Sequence, residues 1–589
     1  MAANRPAIFS VPVAAALLLW PALWNFYPIV FADTGTYLSQ AIHLYAGWDR
    51  PVFYSLFMLP LHATVTLWPV VVAQALMTAW LLWLVCRVLA PGLSGWVFVA
   101  GVAVLSVCTW LPWIVCELMP DVFTPLLVLV LCLLTCVPER LSGRERVLLV
   151  GLAAFMIASQ QSSVPLACVL APVLAATEAA IGGADRSHWH QVKRRSEKVC
   201  ATGVAFLSPS WPGLARPPTT SYAAPSKVPG DRAKPGHDEG ANPRHPAAYP
   251  DAHGAEPGHD EWANPPHSTA YPDAYGAWPG MSERMKPRPG KECSAPTAYL
   301  DASADKPNYH DRDQRHRPLR RWPLIVLPPA LALFAVCTVN LAAHGFFAIA
   351  PFGNVFLLAR VIYDGPGMTA LRRDCPAGHW RLCPFLDSFP ATSDDFLWAP
   401  DSPLTRAGGP KAVSRDAGAI LWAALTADPV GEATLVLANA AEQLTRFSSG
   451  DGLNPWPVQV TPWIELDFPI RERAAYASAR QQSGALAVPA PLSMIHMIVE
   501  LAGVIVCIGL LPVAISRRHA CAGFVAGTLL VLPLSAAITG ALSAPHDRYQ
   551  SRIMWLPAFI AAVSASSLWW DRAGKQLTPG NVAALPRTR

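Results

Sequence analysis

Long uncharged runs separated by short charged connections set the pattern of this chain. Between Arg5 and Asp33 no charged residue occurs. That stretch of about 27 residues exceeds both a signal-peptide core and the roughly 20 residues one crossing helix needs, so it predicts a retained first membrane helix. Further uncharged runs cover residues 88–116, 122–138, 147–177, 323–359, 501–516, 520–546 and 553–570. Each predicts at least one crossing. The expectation is an all-α polytopic membrane protein with about ten transmembrane helices.

Two runs carry internal breaks. Residues 51–86 are too long for one crossing and are divided by Trp68-Pro69, so the first half is expected along the membrane interface and the second across it. In residues 147–177 the stretch Ser159-Gln160-Gln161-Ser162-Ser163, followed by Pro165, predicts two short helices joined by a turn. Arg87, Arg140, Arg144, Arg146, the Lys193-Arg194-Arg195 cluster, Arg320-Arg321, Arg517-Arg518 and Arg572 are assigned to the cytoplasm. Both termini then face the cytoplasm. The outward parts become the loop 33–50, the turn 117–121, a mainly helical region of about 145 residues at 344–490, and residues 546–552.

The resulting layout is a transmembrane core at 1–184, an insertion at 185–321, a transmembrane helix at 322–343, an extracytoplasmic region at 344–490, C-terminal transmembrane helices at 491–572 and a cytoplasmic tail at 573–589. In the insertion, Pro235-Gly236-His237-Asp238-Glu239 returns as Pro257-Gly258-His259-Asp260-Glu261 and Tyr249-Pro250-Asp251-Ala252 as Tyr271-Pro272-Asp273-Ala274, a near-repeat of about 22 residues. It lacks apolar positions to stack, which predicts disorder. Its histidines show no tight ligand spacing.

Composition supports the bilayer reading over several soluble domains: 52% of residues are hydrophobic and only 14% charged. The net charge of +5 sits in short connections and the insertion, which speaks for membrane orientation and against a nucleic-acid partner. Most of the 13 cysteines, among them Cys86, Cys108, Cys132, Cys136, Cys168, Cys337 and Cys507, lie in apolar runs as small hydrophobes. Cys375 and Cys383 instead flank a short polar stretch of the outward region, where a disulfide persists. Phosphate-loop, dinucleotide and His-Glu-x-x-His signatures are absent from the sequence.

The chemistry-bearing residues stand at the outward ends of the runs. Asp33 comes directly after the first apolar run and is followed by Tyr37, Tyr45 and Asp49-Arg50-Pro51. A carboxylate at the membrane surface suits a general base or a metal ligand, and it equally marks a helix end. Glu117 and Asp121 occupy the next outward turn, so three carboxylates are expected at one height. The last outward turn, His546-Asp547-Arg548-Tyr549-Gln550-Ser551-Arg552, offers two guanidinium groups as a phosphate clamp or as interface anchors. Glu500, with His496 one helical turn earlier, forms an intramembrane polar pair read as functional or as a structural hydrogen bond. Residues 432–447 read as an amphipathic helix with Leu435, Leu437, Ala438, Ala441 and Leu444 on its apolar face, an acceptor-recognition lid or a packed helix.

An acid after the first helix, an aromatic-Pro region, a second acid opening a later helix and Arg-Tyr near the last helix resemble the type C glycosyltransferases, polytopic enzymes that include protein mannosyltransferases and lipid-sugar transferases. The resemblance covers roughly the first 180 residues and the final helix pair. It implies a sugar transferred from a polyprenyl-phosphate donor to an envelope glycan, lipid or protein at the outer face of a bacterial inner membrane. Asp33 takes the place of the catalytic base or metal partner, with Asp121 supporting, Glu117 beside them, and Arg548 contacting the donor phosphate. Tyr37, Arg50, Tyr549 and Arg552 join as candidate substrate contacts. The chain departs from the family in having one acid rather than an Asp-Glu pair in the first loop, and in its central insertion. A transporter or flippase of lipid-linked glycans is the alternative, although the chain shows no matched halves. Sugar, acceptor, divalent metal and oligomeric state stay open.

Overall fold

The computed structural model describes residues 5–181 and 322–576. The whole of the expected disordered insertion, with the basic clusters Lys193-Arg194-Arg195 and Arg320-Arg321, and the end of the tail lie outside the described residues. The first part runs through α1 Arg5–Leu17, α2 Trp20–Asn25, α3 Ala32–His43, α4 Phe53–His62, α5 Trp68–Leu89, α6 Gly95–Cys108, α7 Leu111–Cys116, a 3-10 turn Pro120–Val122, α8 Phe123–Cys136, α9 Gly143–Ser159 and α10 Ser163–Ile181. The second runs through α11 Trp322–His344, α12 Gly353–Tyr363, α13 Pro366–Asp374, α14 Ser393–Trp398, α15 Pro403–Arg406, α16 Gly409–Ala427, α17 Pro429–Thr445, α18 Pro457–Asp467, α19 Ile470–Ala477, α20 Ala490–Ser516, α21 Cys521–Leu542 and α22 Asp547–Gln576. Among the described residues every regular element is a helix, apart from one isolated parallel bridge between Ile29 and Glu117.

Five of these helices are long and apolar enough to cross a bilayer: α5, α11, α20, α21 and the part of α22 from Asp547 to Trp570. The chain is therefore a multi-pass membrane protein. Several other expected crossings are shorter apolar helices, α6, α8 with its preceding turn, and α10 among them. The two internal breaks fall where Trp68-Pro69 and Ser159 to Ser163 place them, because proline opens α5 and the polar stretch separates α9 from α10.

The first run differs from expectation. It is not one helix reaching Asp33: α1 ends at Leu17, α2 is six residues long, and Phe26 turns the chain through a left-handed conformation (φ 65°). The segment 27–31 then runs extended. Asp33 consequently opens a further helix, α3, instead of standing in a loop.

Every residue of α8 is buried, which makes it the axis of the bundle. Near one end of that bundle Arg87 pairs with Glu145 at 2.7 Å, Arg140 Nη1 donates to the Val88 carbonyl at 2.9 Å, and Ser142 and Glu145 cap α9 reciprocally. Ser567 Oγ reaches the Leu89 carbonyl at the same end. Gln74, thirteen residues before Arg87 and so about 20 Å away along α5 at 1.5 Å per residue, belongs to the opposite end, where the candidate site lies.

Helices α12 to α16 form a lobe with its own core of Val355, Leu358, Phe396, Leu404, Val413 and Ile420. Cys375 and Cys383 are joined by a disulfide within it. The expected amphipathic helix exists as α17, but it presents the opposite face. It buries Glu432 and Gln443 and leaves Leu437 70% exposed, packing along the crossing helix α21. A bend of 103° separates α16 from α17, and together they have the length and composition of a broken span or re-entrant pair. The polar side of α17 turns in to Arg360, which bonds Glu432, and to Asp364, which accepts from Asn439 Nδ2 at 2.8 Å.

Candidate functional site

The position of Asp33 follows from how the extended segment before it is held. A buried extended strand with no sheet needs partners for its backbone groups. Gln481 supplies them: its Oε1 accepts from Val30 N at 3.0 Å and its Nε2 donates to Val30 O at 2.6 Å, while its own N–H donates to Asn25 Oδ1 at 2.8 Å. Ile29 N donates to Cys116 O at 2.9 Å and Leu118 N to Ile29 O at 2.8 Å, so the chain entering Asp33 is tied to the turn carrying Glu117 and Asp121. Tyr27 Oη donates to Glu472 Oε1 at 2.7 Å, and Thr34 Oγ1 donates to Leu118 O at 3.1 Å. Gly35 lets α18 approach, since a Cβ there would drive into the Gln459 carbonyl.

Two arginines from the start of α22 and one from the loop before α4 meet the carboxylates of these turns. Asp33 Oδ1 accepts from Arg50 Nη2 at 2.7 Å, and its Oδ2 faces Arg548 Nη2 at 3.6 Å. Asp121 Oδ1 accepts from Arg552 Nη1 at 2.7 Å and from Gln160 Nε2 at 2.8 Å; its Oδ2 faces Arg548 Nε at 4.0 Å. Arg548 thus bridges the two aspartates. Its guanidinium lies 3.9 Å from the centre of the Phe31 ring and 5.4 Å from that of Tyr549, and its backbone N–H donates to Asp451 Oδ2 at 3.0 Å. Arg548 Nη1 and Arg552 Nε are buried and carry no protein partner. Unpaired donors on two neighbouring guanidinium groups are positioned to take anionic oxygens.

The charges decide how each acid titrates. Burial alone would raise Asp33, but Arg50 and Arg548 outweigh it and hold the carboxyl below its ordinary range. Glu117, in the connection between α7 and the Pro120–Val122 turn, behaves oppositely. Burial first, then the neighbouring Asp121 charge, push it up to about 8 against the opposing pull of Arg548. A divalent metal does not fit this donor set: both aspartates are engaged by arginines, and among the described residues no three His, Cys, Asp or Glu side chains group to hold an ion.

Of the residues singled out by sequence, Asp33, Arg50, Asp121, Arg548 and Arg552 come together directly, and Glu117 lies within their electrostatic reach. Tyr37 is buried beneath them, edge-on to Tyr54 at 4.9 Å. Tyr549 stands beside both α22 arginines, 5.5 Å from Arg552. Tyr45 lies apart, bonded to Ser39 Oγ at 3.0 Å. His496 and Glu500 do not bond each other. His496 bonds Ser449 Oγ at 3.0 Å and the Val107 carbonyl at 3.2 Å, and Glu500 Oε1 accepts from Trp110 N at 3.3 Å.

Gln74, Gln481 and Glu472 were not singled out by sequence. Gln74 Nε2 donates to the carbonyls of Val115 and Glu117, each at 2.9 Å, and its Oε1 accepts from Tyr54 Oη at 2.6 Å. An amide inside an apolar run was its available signal. Gln481 and Glu472 carry none: the Val30 backbone held by Gln481 is 451 residues away and the Tyr27 hydroxyl held by Glu472 is 445 away.

A narrow cleft with room for only about 10 Å³ opens beside Arg50, lined by Trp48, Gln161 and Asn340 and by Val336 and Val339 of α11. No protein family, curated protein or solved structure matches the chain, so the site's own geometry carries its interpretation.

Proposed function

We propose that this protein is a membrane glycosyltransferase that moves a sugar from a polyprenyl-phosphate donor to an envelope glycan, lipid or protein acceptor, working at the extracytoplasmic face of a bacterial inner membrane. The carrying observation is the convergence of Asp33, Asp121, Arg50, Arg548 and Arg552, from four separate stretches of chain, into one cluster at one end of the bundle. Opposite charges held this way, with donors of Arg548 and Arg552 unpaired, suit a leaving phosphate. A lipid-borne donor reacts where its headgroup meets water. The Arg87, Arg140 and Glu145 end of the bundle then faces the cytoplasm, consistent with its basic connections.

The test is glycan transfer in membrane vesicles by Asp33→Asn, Asp121→Asn and Arg548→Ala at equal protein level. Transfer should fall by about a hundredfold or more in each aspartate variant, as expected when the groups ordering a reaction centre are lost. Near-normal transfer by Asp33→Asn would overturn the mechanism. Weakened donor binding in Arg548→Ala, with no transfer by the wild type, would favour a lipid-linked-glycan transporter instead.

A further inference from the structure

We propose that Glu117 is the general base of the site, taking the proton of the attacking acceptor hydroxyl, and that Asp33 positions the arginines instead of moving a proton; this rests on the glycosyl-transfer reading. Three observations distinguish the acids. Both oxygens of Asp33 face guanidinium groups, and so do both oxygens of Asp121. A carboxylate whose lone pairs are taken by fixed cations is a poor acceptor for a proton in flight. Glu117 makes no side-chain hydrogen bond or ion pair among the described residues, although its backbone is pinned on both sides. Its N–H donates to Ile114 O at 3.4 Å, its carbonyl accepts from Gln74 Nε2 at 2.9 Å, and Leu118 N donates to Ile29 O at 2.8 Å. A fixed main chain with an uncommitted carboxylate is what a group awaiting substrate requires.

The chain passes close beside it. Gly452 adopts φ 89°, and a Cβ there would come within 2.7 Å of the Phe31 ring and 3.3 Å of Glu117 Oε1. Phe31 is the ring on which Arg548 rests. Glu117 therefore shares a wall with the guanidinium proposed to receive the leaving phosphate. The charged and titratable groups facing it are Asp33 from α3, Tyr54 from α4, Asp121 from the 3-10 turn, Asp451 from the segment before α18, and Arg548 from α22. Burial and the surrounding acids hold its proton near neutral pH, to about 8, so it exchanges a proton where Asp33 remains ionised.

In the step, the acceptor oxygen bonds to the anomeric carbon as the bond from that carbon to the phosphate oxygen breaks. The electron pair of the broken bond leaves on the phosphate, facing Arg548 and Arg552, and the hydroxyl proton passes to the Glu117 carboxylate. Proton loss to solvent resets the base.

The experiment uses the full chain in lipid nanodiscs and a panel of synthetic polyprenyl monophosphates bearing mannose, glucose, galactose or arabinose, with water as acceptor and release of free sugar as the readout. Wild-type release should climb from pH 6 to 9 with a midpoint near 8. Glu117→Gln should lower release by about a hundred- to ten-thousandfold and abolish the climb while leaving KM for the donor unchanged. Glu117→Asp should restore part of the rate with a displaced midpoint. A wild-type profile flat across this range, or one that survives in Glu117→Gln, overturns the assignment while leaving glycosyl transfer standing. Absence of release by the wild type from every donor overturns both.

Discussion

Among the described residues two arginine-carboxylate clusters are buried, and they are built differently. In the lobe cluster Arg360 meets Asp364 and Glu432, with Asn439 closing the group. Its members come from α12, the residue that caps it and α17; both carboxylates meet the guanidinium, while Arg360 Nε and Glu432 Oε2 have no hydrogen-bond partner. The site cluster draws Asp33, Arg50, Asp121, Arg548 and Arg552 from helix starts and connections far apart in sequence, and it leaves the Glu117 carboxylate without a partner. Burial of charge is common to both, so burial is not the mark of a site. Nor are single unpaired atoms; the difference is a whole carboxyl group, that of Glu117, which forms no ion pair while its neighbours do.

The largest expected effect tests that distinction directly. Arg552→Met removes the nearest cation of a buried Asp121, leaving it Gln160 and the more distant Arg548, and should cost about 3 kcal/mol, seen as a lower melting temperature in detergent, while transfer per folded molecule also disappears. Arg360→Met should cost a similar amount, because Glu432 and Asp364 lose their cation. Transfer per folded molecule should nevertheless survive. Equal loss of specific activity in both variants would erase the contrast between the clusters.

How much of this could be read beforehand depended on whether the signal was local. Proline at Trp68-Pro69 and the polar stretch from Ser159 to Ser163 interrupt apolar runs, and their breaks are visible in sequence because the physics is local. Isolated acids and arginines at run ends stand out for the same reason. The clamp of Gln481 and Glu472 on residues 27–31 was invisible, since its partners join only through the fold. The kink that ends α2 at Phe26 lies within an unbroken apolar run, where hydropathy has no contrast to offer. Helix α17 differs for another reason: an amphipathic pattern identifies two faces but not which one packs inward, and there the polar face does.

A middle-sized effect is expected away from both clusters. Reducing the Cys375–Cys383 bridge, or replacing both residues by serine, opens a short loop and should lower stability by about 2 to 3 kcal/mol by the loop-entropy estimate. Melting should shift while the pH dependence of transfer does not. A change in that dependence would show the lobe to be coupled to the site more closely than its separate core implies.

The smallest effect is a pH dependence of stability belonging to the site alone. Glu117 is raised in the folded protein to about 8, above the ordinary carboxyl value it regains on unfolding. A raised acid favours folding most below its unfolded value, where both states hold the proton, and the advantage is lost as pH rises toward and through 8. One such group changes stability by at most about 1.4 kcal/mol per pH unit. Wild-type protein should therefore melt at lower temperature at pH 8 than at pH 6.5. Glu117→Gln keeps the shape of the protonated acid and cannot ionise, so its melting temperature should fall less over the same interval. Histidines elsewhere titrate alike in both proteins and cancel in the difference. If the two melting curves shift in parallel, Glu117 carries no proton at neutral pH and the contrast with the engaged carboxylates of the lobe loses its electrostatic support.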